Sequence, residues 1–540
     1  SYPSAILIFL AVSAAAPRVG NPCHKVEADR LIFAQIPVRA AARADEVAIA
    51  PRVENPCHGV GAHLPIGSRI VAYDPDRPDD SVKTLTSGFA AAGQPDVSFD
   101  GKRILFIGKP EASDPFHVWE MNVDGRGIRR ITDKSGNVSA AIYLSTIYTL
   151  DADKPVYQIA FCSDPGGAPG GSLYTCRMDG TRIRRITFDP NGVSDPHLLS
   201  DSRLLFSRWS NSGGAGSPHG LETRATTRST DLLTVNTDGT DLFAFAAVHE
   251  SPAIRSMPCE TPDGWVVYVE SAACGTGFQP VDRGGSLVAV ARSRSLHTRR
   301  VVADDPGGLY HSPSAMADGK LLVSYRPKDG GSYGIYVLDP VSGTRVARVF
   351  DDPQWHEVDA VVARSRSTPA GRSSVVKEQL DYGLLYCMNA NLSDREEAKA
   401  IEPGQIKRLR VFKATTNDER GPNDAPGHEQ TAARGGIIVE ELLGEVPVER
   451  DGSFFLMVPD RTPLRVETLD ANGRILQSMV SWIWVMPNEG RGCIGCHEDR
   501  ELTPPNRHVL ALRKRPRRVG VSDRLPYPHG EVRPGLKKGE

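Results

Sequence analysis

The residues best suited to chemistry in this sequence form one short motif near its C-terminal end, Cys493-Ile494-Gly495-Cys496-His497. Two cysteines three positions apart, followed directly by a histidine, are the attachment sequence of a c-type haem. This spacing lets both sulfurs form thioether bonds to the vinyl groups of one porphyrin, and it carries the adjacent imidazole to the iron as an axial ligand. We therefore predict one covalent haem c, bound through Cys493, Cys496 and His497.

A zinc site is the alternative interpretation of the two cysteines. A structural zinc ion needs four ligands, and the nine cysteines of this chain include no second Cys-x-x-Cys pair. The haem interpretation is therefore favoured. Two further Cys-His pairs, Cys23-His24 and Cys57-His58, belong to a duplicated segment. Because neighbouring side chains diverge on an extended backbone, each pair is a poor chelate, and we predict a linker there.

The charge balance argues against nucleic acid as a partner. Lysine and arginine together number 64 and aspartate and glutamate 66, so no global field attracts a polyanion. The 540 residues suffice for two or three domains. Glycine (51) and proline (41) are abundant, which indicates turns and short strands.

The N-terminal region resembles a secretion signal. Residues 5–16 are apolar and end in small side chains, as in the core and cleavage zone of a signal peptide; a buried strand is the alternative. We predict a signal remnant over 1–16 and a poorly ordered linker over 17–66. Since covalent c-type haem attachment takes place outside the bacterial cytoplasm, the expected location is periplasmic or otherwise exported. No other segment is long and apolar enough to span a bilayer.

Residues 67–366 contain a repeat. Asp-Gly turns between apolar runs are the strongest short hairpin signal, and they recur at 100, 124, 179, 238, 263 and 318. The spacing of roughly 50 to 60 residues per pair of hairpins is that of a four-stranded propeller blade. We predict a WD40-like, six-bladed β-propeller, in which residues 68–86 and a strand near 356–363 complete one blade. A β-sandwich is the alternative. Residues 275–284 are expected to be a loop insertion.

A second all-β domain is predicted over residues 375–510. Short alternating strands with Asp-Gly and Asn-Gly turns are typical of an immunoglobulin-like sandwich. Its last strand, 481–486, would place Trp482 and Trp484 on one face, against the porphyrin or in the sandwich core. Gly490 and Gly492 would let the backbone approach the macrocycle. Residues 511–540 are predicted to be a disordered basic tail.

Three segments of this domain resemble a known family: EVPVERDGSFFLMVP, LDANGRILQSMVSWIWV and RGCIGCHEDRELTPPNR. They are similar to the middle domain of the hydrazine synthase alpha subunit. The resemblance implies a c-type haem in a pocket that the propeller and the sandwich build together. In that family the motif histidine binds zinc and a tyrosine four positions later ligates the iron. Glu501 stands at the tyrosine position here, so the resemblance implies His497 as an iron or zinc ligand, with Glu501 and the propeller residue Cys259 as further metal ligands.

Three functions are compatible with these features. The first is an oxidoreductase that acts on a small molecule at a propeller-facing haem. The second is an electron carrier whose distal iron ligand would be Met479, Met486, His508 or His428. The third is a propeller scaffold for protein–protein interaction. The expected partners are a small substrate or a redox protein, together with additional subunits.

Overall fold

The structure, a computed structural model, describes residues 30–38, 64–77, 82–133, 137–149, 152–163, 171–212, 227–246, 251–272, 284–394, 401–416, 438–479, 481–497, 499, 501 and 508–522. In these residues the regular structure is almost entirely β, with short 3-10 helices at Arg292–Arg294 and Ala511–Arg513. None of the helices in this part of the chain has the length and hydropathy needed to cross a bilayer. The prediction of a mainly β protein is confirmed.

Most strands belong to six successive sheets. In chain order the first strands are β1 (Leu31–Pro37), β2 (Arg69–Tyr73), β3 (Lys83–Thr84), β4 (Ala91–Val97), β5 (Arg103–Lys109), β6 (His117–Asn122), β7 (Arg129–Arg130), β8 (Val138–Tyr148), β9 (Val156–Ser163), β10 (Ser172–Arg177) and β11 (Arg184–Arg185). They are followed by β12 (Val193–Leu198), β13 (Arg203–Ser212), β14 (Thr227–Asn236), β15 (Phe243–Ala246), β16 (Ala253–Glu260), β17 (Trp265–Ala272), β18 (Ser286–Ala291) and β19 (Arg300–Ala303). The last are β20 (Gly308–Ala315), β21 (Leu321–Pro327), β22 (Gly334–Asp339), β23 (Thr344–Phe350), β24 (Trp355–Val362) and β25 (Arg372–Ser373).

The six sheets form a closed series. Their strand orders are β24-β1-β2-β3, β4-β5-β6-β7, β11-β10-β9-β8-β25, β12-β13-β14-β15, β16-β17-β18-β19 and β20-β21-β22-β23. One strand of each sheet contacts the corresponding strand of the next, in the sequence β24, β4, β8, β12, β16 and β20, and β20 contacts β24 again. We call this assembly the six-sheet ring. Because the series closes on itself, none of the six sheets stands at an open end of it.

The six contacting strands share one irregularity. Each has a register shift against its neighbour, and in each strand one residue within a shift has a positive φ. These residues are Gln94 (53°), Ala140 (50°), Asp195 (53°), Met257 (54°), Ser312 (44°) and Asp359 (55°). A bulge bends its strand and increases the local twist. Its recurrence at the same place in every sheet identifies the six sheets as copies of one structural unit.

The N-terminal strand departs from the sequence prediction. Residues 17–66 were expected to be a poorly ordered linker, yet β1 lies within them and is almost fully buried. It pairs with β2 on one side and with β24 on the other, both antiparallel. The strand was missed because LIFAQIP is a short apolar run without alternation, which periodicity alone does not distinguish from other buried segments. Both Cys-His pairs of the duplicated segment lie outside the described residues, as do 1–16.

The remaining strands form two further sheets between residues 382 and 518. They are β26 (Tyr382–Cys387), β27 (Arg408–Thr416), β28 (Ile438–Pro447), β29 (Phe454–Pro459), β30 (Leu464–Leu469), β31 (Ile475–Ser478), β32 (Gly490–Cys493) and β33 (Arg517–Arg518). The sheet orders are β32-β26-β29-β33 and β28-β27-β30-β31, and one apolar cluster joins their inner faces. We call this pair the sandwich. Its β32–β26 and β29–β33 pairs are parallel, whereas an immunoglobulin sandwich is built from antiparallel sheets.

The predicted tail begins too early. Residues 511–522 are part of the sandwich: Ala511 and Val519 are buried, and β33 pairs with β29. The Ala511 N–H donates to Ser453 Oγ at 3.0 Å. High Arg, Lys and Pro content favours disorder, but here two small apolar side chains and backbone pairing hold the segment. Residues 523–540 lie outside the described part.

The sandwich and the ring share one core. The cluster that joins the two sandwich sheets also includes side chains of the third and fourth ring sheets. Representative members are Ile186, Phe206 and Leu233 from the ring and Trp484 and Val485 from the sandwich. A continuous apolar interface of this kind resists relative motion of the two parts, so a site between them has fixed walls.

Candidate functional site

A cavity of about 290 Å³ lies between the ring and the sandwich, and the Cys-x-x-Cys-His motif forms part of its wall. Its apolar lining comes from both parts: Leu233, Leu242, Phe243 and Leu296 from the ring, and Leu385, Phe454, Val466, Met479, Trp482 and Ile483 from the sandwich. Its polar lining includes Arg208, His297, Asp394, Arg491, His497 and Asp499. An apolar cavity with a few convergent polar groups is the usual form of a cofactor or ligand site.

The motif is positioned by the sandwich. β32 runs parallel to β26, with Cys493 opposite Cys387, so the first cysteine ends a paired strand. Beyond it the Met388 N–H donates to the Cys493 carbonyl oxygen at 2.9 Å, and the Cys496 N–H donates to the Leu392 carbonyl oxygen at 3.0 Å. The motif is therefore held by backbone bonds to residues about a hundred positions earlier. Cys493 and Cys496 both line the cavity and are not joined as a disulfide.

Glycine is required inside the motif. A Cβ on Gly495 would lie 2.4 Å from the Leu392 carbonyl oxygen, a separation that real Cβ atoms do not show. Gly492 has the same role against Tyr386, whose ring would lie 2.5 Å from an added Cβ, whereas Gly490 faces open space. The prediction that Gly490 and Gly492 allow close approach of a macrocycle is therefore replaced by close packing within the sandwich.

His497 is oriented by a carboxylate. Its Nδ1 lies 2.6 Å from Asp394 Oδ1, and the backbone reinforces the pair, because the Asp394 N–H donates to the His497 carbonyl oxygen at 2.9 Å. A ligating histidine commonly gives its second ring N–H to a carboxylate, which fixes the tautomer and leaves the other nitrogen as the coordinating atom. This arrangement suits coordination through Nε2.

The residues after the motif connect it to the ring. Asp499 Oδ2 lies 2.6 Å from His297 Nε2, and the Leu296 N–H donates to Glu501 Oε1 at 2.8 Å. Burial opposes ionisation of Asp499, but the hydrogen bonds from the Glu501 N–H and from His297 outweigh it, so the pKa of Asp499 is lowered. The ionised carboxylate then accepts the Nε2 proton of His297. Both members of this pair line the cavity.

The two tryptophans face different surroundings. Residues 481–486 do not form the regular strand that was expected; Ile483 makes a single bridge to Leu464. Trp482 lines the cavity, whereas Trp484 is 1% exposed and donates from Nε1 to the Gly239 carbonyl oxygen of the ring at 3.2 Å. The predicted common face is wrong, because an irregular segment does not alternate like a strand.

The loop between these tryptophans and the motif joins the two parts of the molecule. Glu489 is 2% exposed and accepts the Met486 N–H at 2.6 Å and the ring Asp241 N–H at 2.9 Å. Burial raises the pKa of Glu489 to about 7, against its two hydrogen bonds and the charge of Arg491.

The proposed metal ligands are not all brought together. Cys259 belongs to a buried cluster of the fifth and sixth ring sheets, away from the cavity lining, and burial raises the pKa of its thiol to about 12. Glu501 is turned toward the ring loop and does not line the cavity. In the described residues, no group of three or more His, Cys, Asp and Glu side chains is arranged to hold a metal ion.

The four candidates for a distal iron ligand differ in whether they lie at the cavity. Met479 lines the cavity. Met486 packs in the interface, where an added Cβ on Gly239 would lie 2.9 Å from its Sδ. His508 is exposed and is not part of the lining, and His428 lies outside the described residues.

Sequence reasoning missed five polar residues of the cavity: Arg208, His297, Asp394, Arg491 and Asp499. The first three stand in other elements, far from the motif along the chain, and no local pattern marks them. Arg491 was accessible to prediction, since alternation along a strand places it on the same face as Cys493.

Comparison with known proteins identifies relatives of this architecture. Residues 404–498 match the family described as hydrazine synthase alpha subunit middle domain. Hydrazine synthase subunit alpha of Kuenenia stuttgartiensis is 24% identical in an alignment 527 residues long, and this alignment covers 81% of this chain. The chain spans 63% of the length of that relative.

The solved structure of Kuenenia stuttgartiensis hydrazine synthase superposes with a TM-score of 0.73 at 23% identity. The superposition covers 90% of this chain and 71% of the other. The two chains therefore share their fold over most of this sequence. The resemblance drawn from the sequence is confirmed: the chain is similar to the hydrazine synthase alpha subunit in sequence and in fold.

Proposed function

We propose that this chain is a c-type haem protein that acts as an oxidoreductase on a small molecule in the cavity between ring and sandwich. The observation that carries the proposal is that Cys493, Cys496 and His497 line one cavity, together with apolar side chains from both parts of the molecule. The relatives named above support a redox or enzymatic role of this kind. Bound haem would supply an iron centre able to exchange electrons and to bind a small ligand.

The residues present fit that group. Cys493 and Cys496 would hold the porphyrin covalently, and His497, kept in place by Asp394, would bind the iron. The aromatic and aliphatic walls would surround the porphyrin with apolar side chains, and electrostatic interactions are stronger in such surroundings than in water. His297 and Asp499, whose Nε2 and Oδ2 atoms lie 2.6 Å apart, form part of the polar wall of the cavity. A zinc ion on His497 is less well supported, because Cys259 does not reach the cavity.

An electron-transfer cytochrome is the second candidate, and Met479 is the observation that favours it. This methionine lines the cavity, and a Met/His pair of axial ligands is typical of c-type cytochromes. The two functions differ in whether the iron would bind an external ligand or Met479.

We also propose that the six-sheet ring is a six-bladed β-propeller. The support is the number of sheets, their four-stranded pattern and the bulge repeated in each of the six contacting strands. In this arrangement β1 and β24, from opposite ends of the repeat, share the first blade.

Export and assembly complete the proposal. Covalent haem attachment requires maturation outside the cytoplasm, so the chain would be periplasmic or otherwise exported. Because its relative is a subunit, we propose that this chain assembles with further subunits.

The test is a haem assay on protein produced with c-type maturation machinery. We expect a pyridine haemochrome of the thioether type, which Cys493→Ala combined with Cys496→Ala abolishes, whereas the matched control Cys176→Ala in the ring keeps it. Colourless protein with both motif thiols open to alkylation would refute the proposal. Spectra with carbon monoxide then separate the candidates: a change of the spectrum supports the oxidoreductase. An unresponsive low-spin spectrum that becomes responsive in Met479→Leu supports the electron carrier.

A further inference from the structure

Two buried arginines line the cavity without a full set of partners. Arg491 is 6% exposed and Arg208 8%. In the described part of the chain, Nε and Nη1 of Arg491 and Nε of Arg208 are buried without a hydrogen-bond acceptor. Leaving a buried donor of a charged group unpaired carries its full desolvation cost, so a ligand that supplies the acceptors is expected.

Another buried arginine of this chain has hydrogen-bond acceptors for its guanidinium nitrogens. Arg255 is 2% exposed, and its Nε donates to Glu270 at 3.0 Å while Nη1 and Nη2 donate to backbone carbonyls of Thr230 and Ser251. That guanidinium stands away from the cavity. Among the arginines of the described residues, Arg491 is the one with two buried nitrogens that have no acceptor, and it stands on the cavity wall.

Arg491 also lacks a carboxylate of its own. Its guanidinium lies over the Phe243 ring at 5.2 Å. The nearby acid is Glu489, whose two oxygens accept the Met486 and Asp241 N–H groups. No ion pair of Arg491 is present within the described residues. Arg208 differs, since its Nη2 donates to Asp231 at 2.6 Å. Its Nε is the nitrogen left to donate to a ligand in the cavity.

The position of Arg491 on β32 relates it to the attachment site. Arg491 and Cys493 are two residues apart on a strand, so they point to the same side, about 6.6 Å apart at roughly 3.3 Å per residue. Both line the cavity. An acidic group on a molecule bonded to Cys493 would therefore lie within reach of a long arginine side chain.

We propose that Arg491 and Arg208 form a carboxylate-binding wall of the cavity, and that their ligands are the carboxylates of the bound porphyrin. Arginine is suited to this role because its planar guanidinium binds a carboxylate through two parallel N–H bonds. The inference rests on the proposed haem function and deepens it: it states how the chain recognises the acidic edge of the cofactor, separately from the thioether bonds.

The experiment uses the full chain with Cys493→Ala and Cys496→Ala, so that porphyrin binding is reversible. Haemin and haemin dimethyl ester are titrated and followed by absorbance. We expect haemin to bind at least 10-fold more tightly than the ester. Arg491→Gln should remove most of that preference, and Arg208→Gln part of it. The control Arg203→Gln, on the same strand as Arg208 and paired with Asp201, should keep it.

Each other outcome overturns the inference. Equal affinities for haemin and ester, or haemin binding too weak to measure, would mean that the arginines do not hold the porphyrin carboxylates. Arg491→Gln with unchanged haemin affinity, but with loss of a spectral response of the mature protein to added formate, would assign the arginines to a free anion instead. Mature protein without covalent haem would refute the proposed function itself. The comparison of haemin with its ester uses a chain with both arginines intact, so it does not depend on whether the arginine variants fold.

Discussion

Gly495→Ala is the most direct test of how the motif is held. An added Cβ would lie 2.4 Å from the Leu392 carbonyl oxygen, about 1 Å inside the shortest ordinary contact of 3.4 Å, and 2.9 Å from Leu392 Cβ. The same carbonyl oxygen accepts the Cys496 N–H. The added methyl group therefore pushes against backbone and against the bond that places the second cysteine.

The magnitude follows from three contributions. Overpacking of a close contact costs about 1–3 kcal/mol, and weakening one backbone hydrogen bond costs about 1 kcal/mol. Replacing glycine by alanine also stabilises the folded state by about 0.4–1 kcal/mol, because it lowers the conformational entropy of the unfolded chain. We expect a net loss of about 1–3 kcal/mol in the free energy of unfolding, together with less covalent haem, because the two cysteines no longer keep their spacing.

The assay is urea unfolding followed by tryptophan fluorescence, with haem staining of the same preparations. Gly490→Ala is the matched control: it lies on the same segment, and its added Cβ meets nothing within 4 Å, so its midpoint should equal or slightly exceed that of the parent. Equal stability and haem content in Gly495→Ala and Gly490→Ala would show that the Leu392 loop does not hold the motif.

Three further perturbations address the orientation of His497, the interface and its pH dependence. Asp394→Asn removes the carboxylate from His497 Nδ1, and we expect displacement of His497 from iron by added imidazole to become about 10–100-fold easier; an unchanged titration would contradict the orienting role. Trp484→Phe loses the bond from Nε1 to Gly239, which should lower the free energy of unfolding by about 1 kcal/mol, whereas Trp482→Phe, at the cavity, should change it less in protein without haem. Burial raises the pKa of Glu489 from 4.5 to about 7, so its contribution is complete below pH 4.5 and is lost as the pH rises through 7. At about 1.4 kcal/mol per pKa unit, the loss is on the order of 3 kcal/mol, and Glu489→Gln should flatten this part of the stability curve measured by urea unfolding across pH.

The fold was accessible to sequence reasoning where a local signal exists. Asp-Gly turns at 100, 124 and 179 have glycines with φ of 72°, 85° and 81°, the left-handed conformation that makes this dipeptide a hairpin signal. β1 gave no such signal, because it obtains both partners from strands distant along the chain. The tail was misjudged for a related reason: its composition is that of a disordered segment, but its backbone pairs with β29.

The site divides in the same way. The chemistry of Cys493, Cys496 and His497 could be predicted from the sequence, because the motif is local and its residue types are specific. The partners of that motif were not. Asp394, His297 and Arg208 come from other elements, and only packing of the sandwich on the ring brings them to one cavity. Cys259, which was predicted as a metal ligand, is not at the cavity. A resemblance to a family suggests which type of residue binds the metal but does not fix where that residue lies in this chain.

The sequence alone therefore determined the β character, the repeat with its turns and the attachment motif, since each of these depends on interactions between near neighbours along the chain. The tertiary structure decided which strand closes the ring, which tryptophan faces the cavity and which charged side chains surround the motif. These depend on contacts between residues separated by up to several hundred positions, and the free energy of such contacts is set by burial and geometry that no local pattern records.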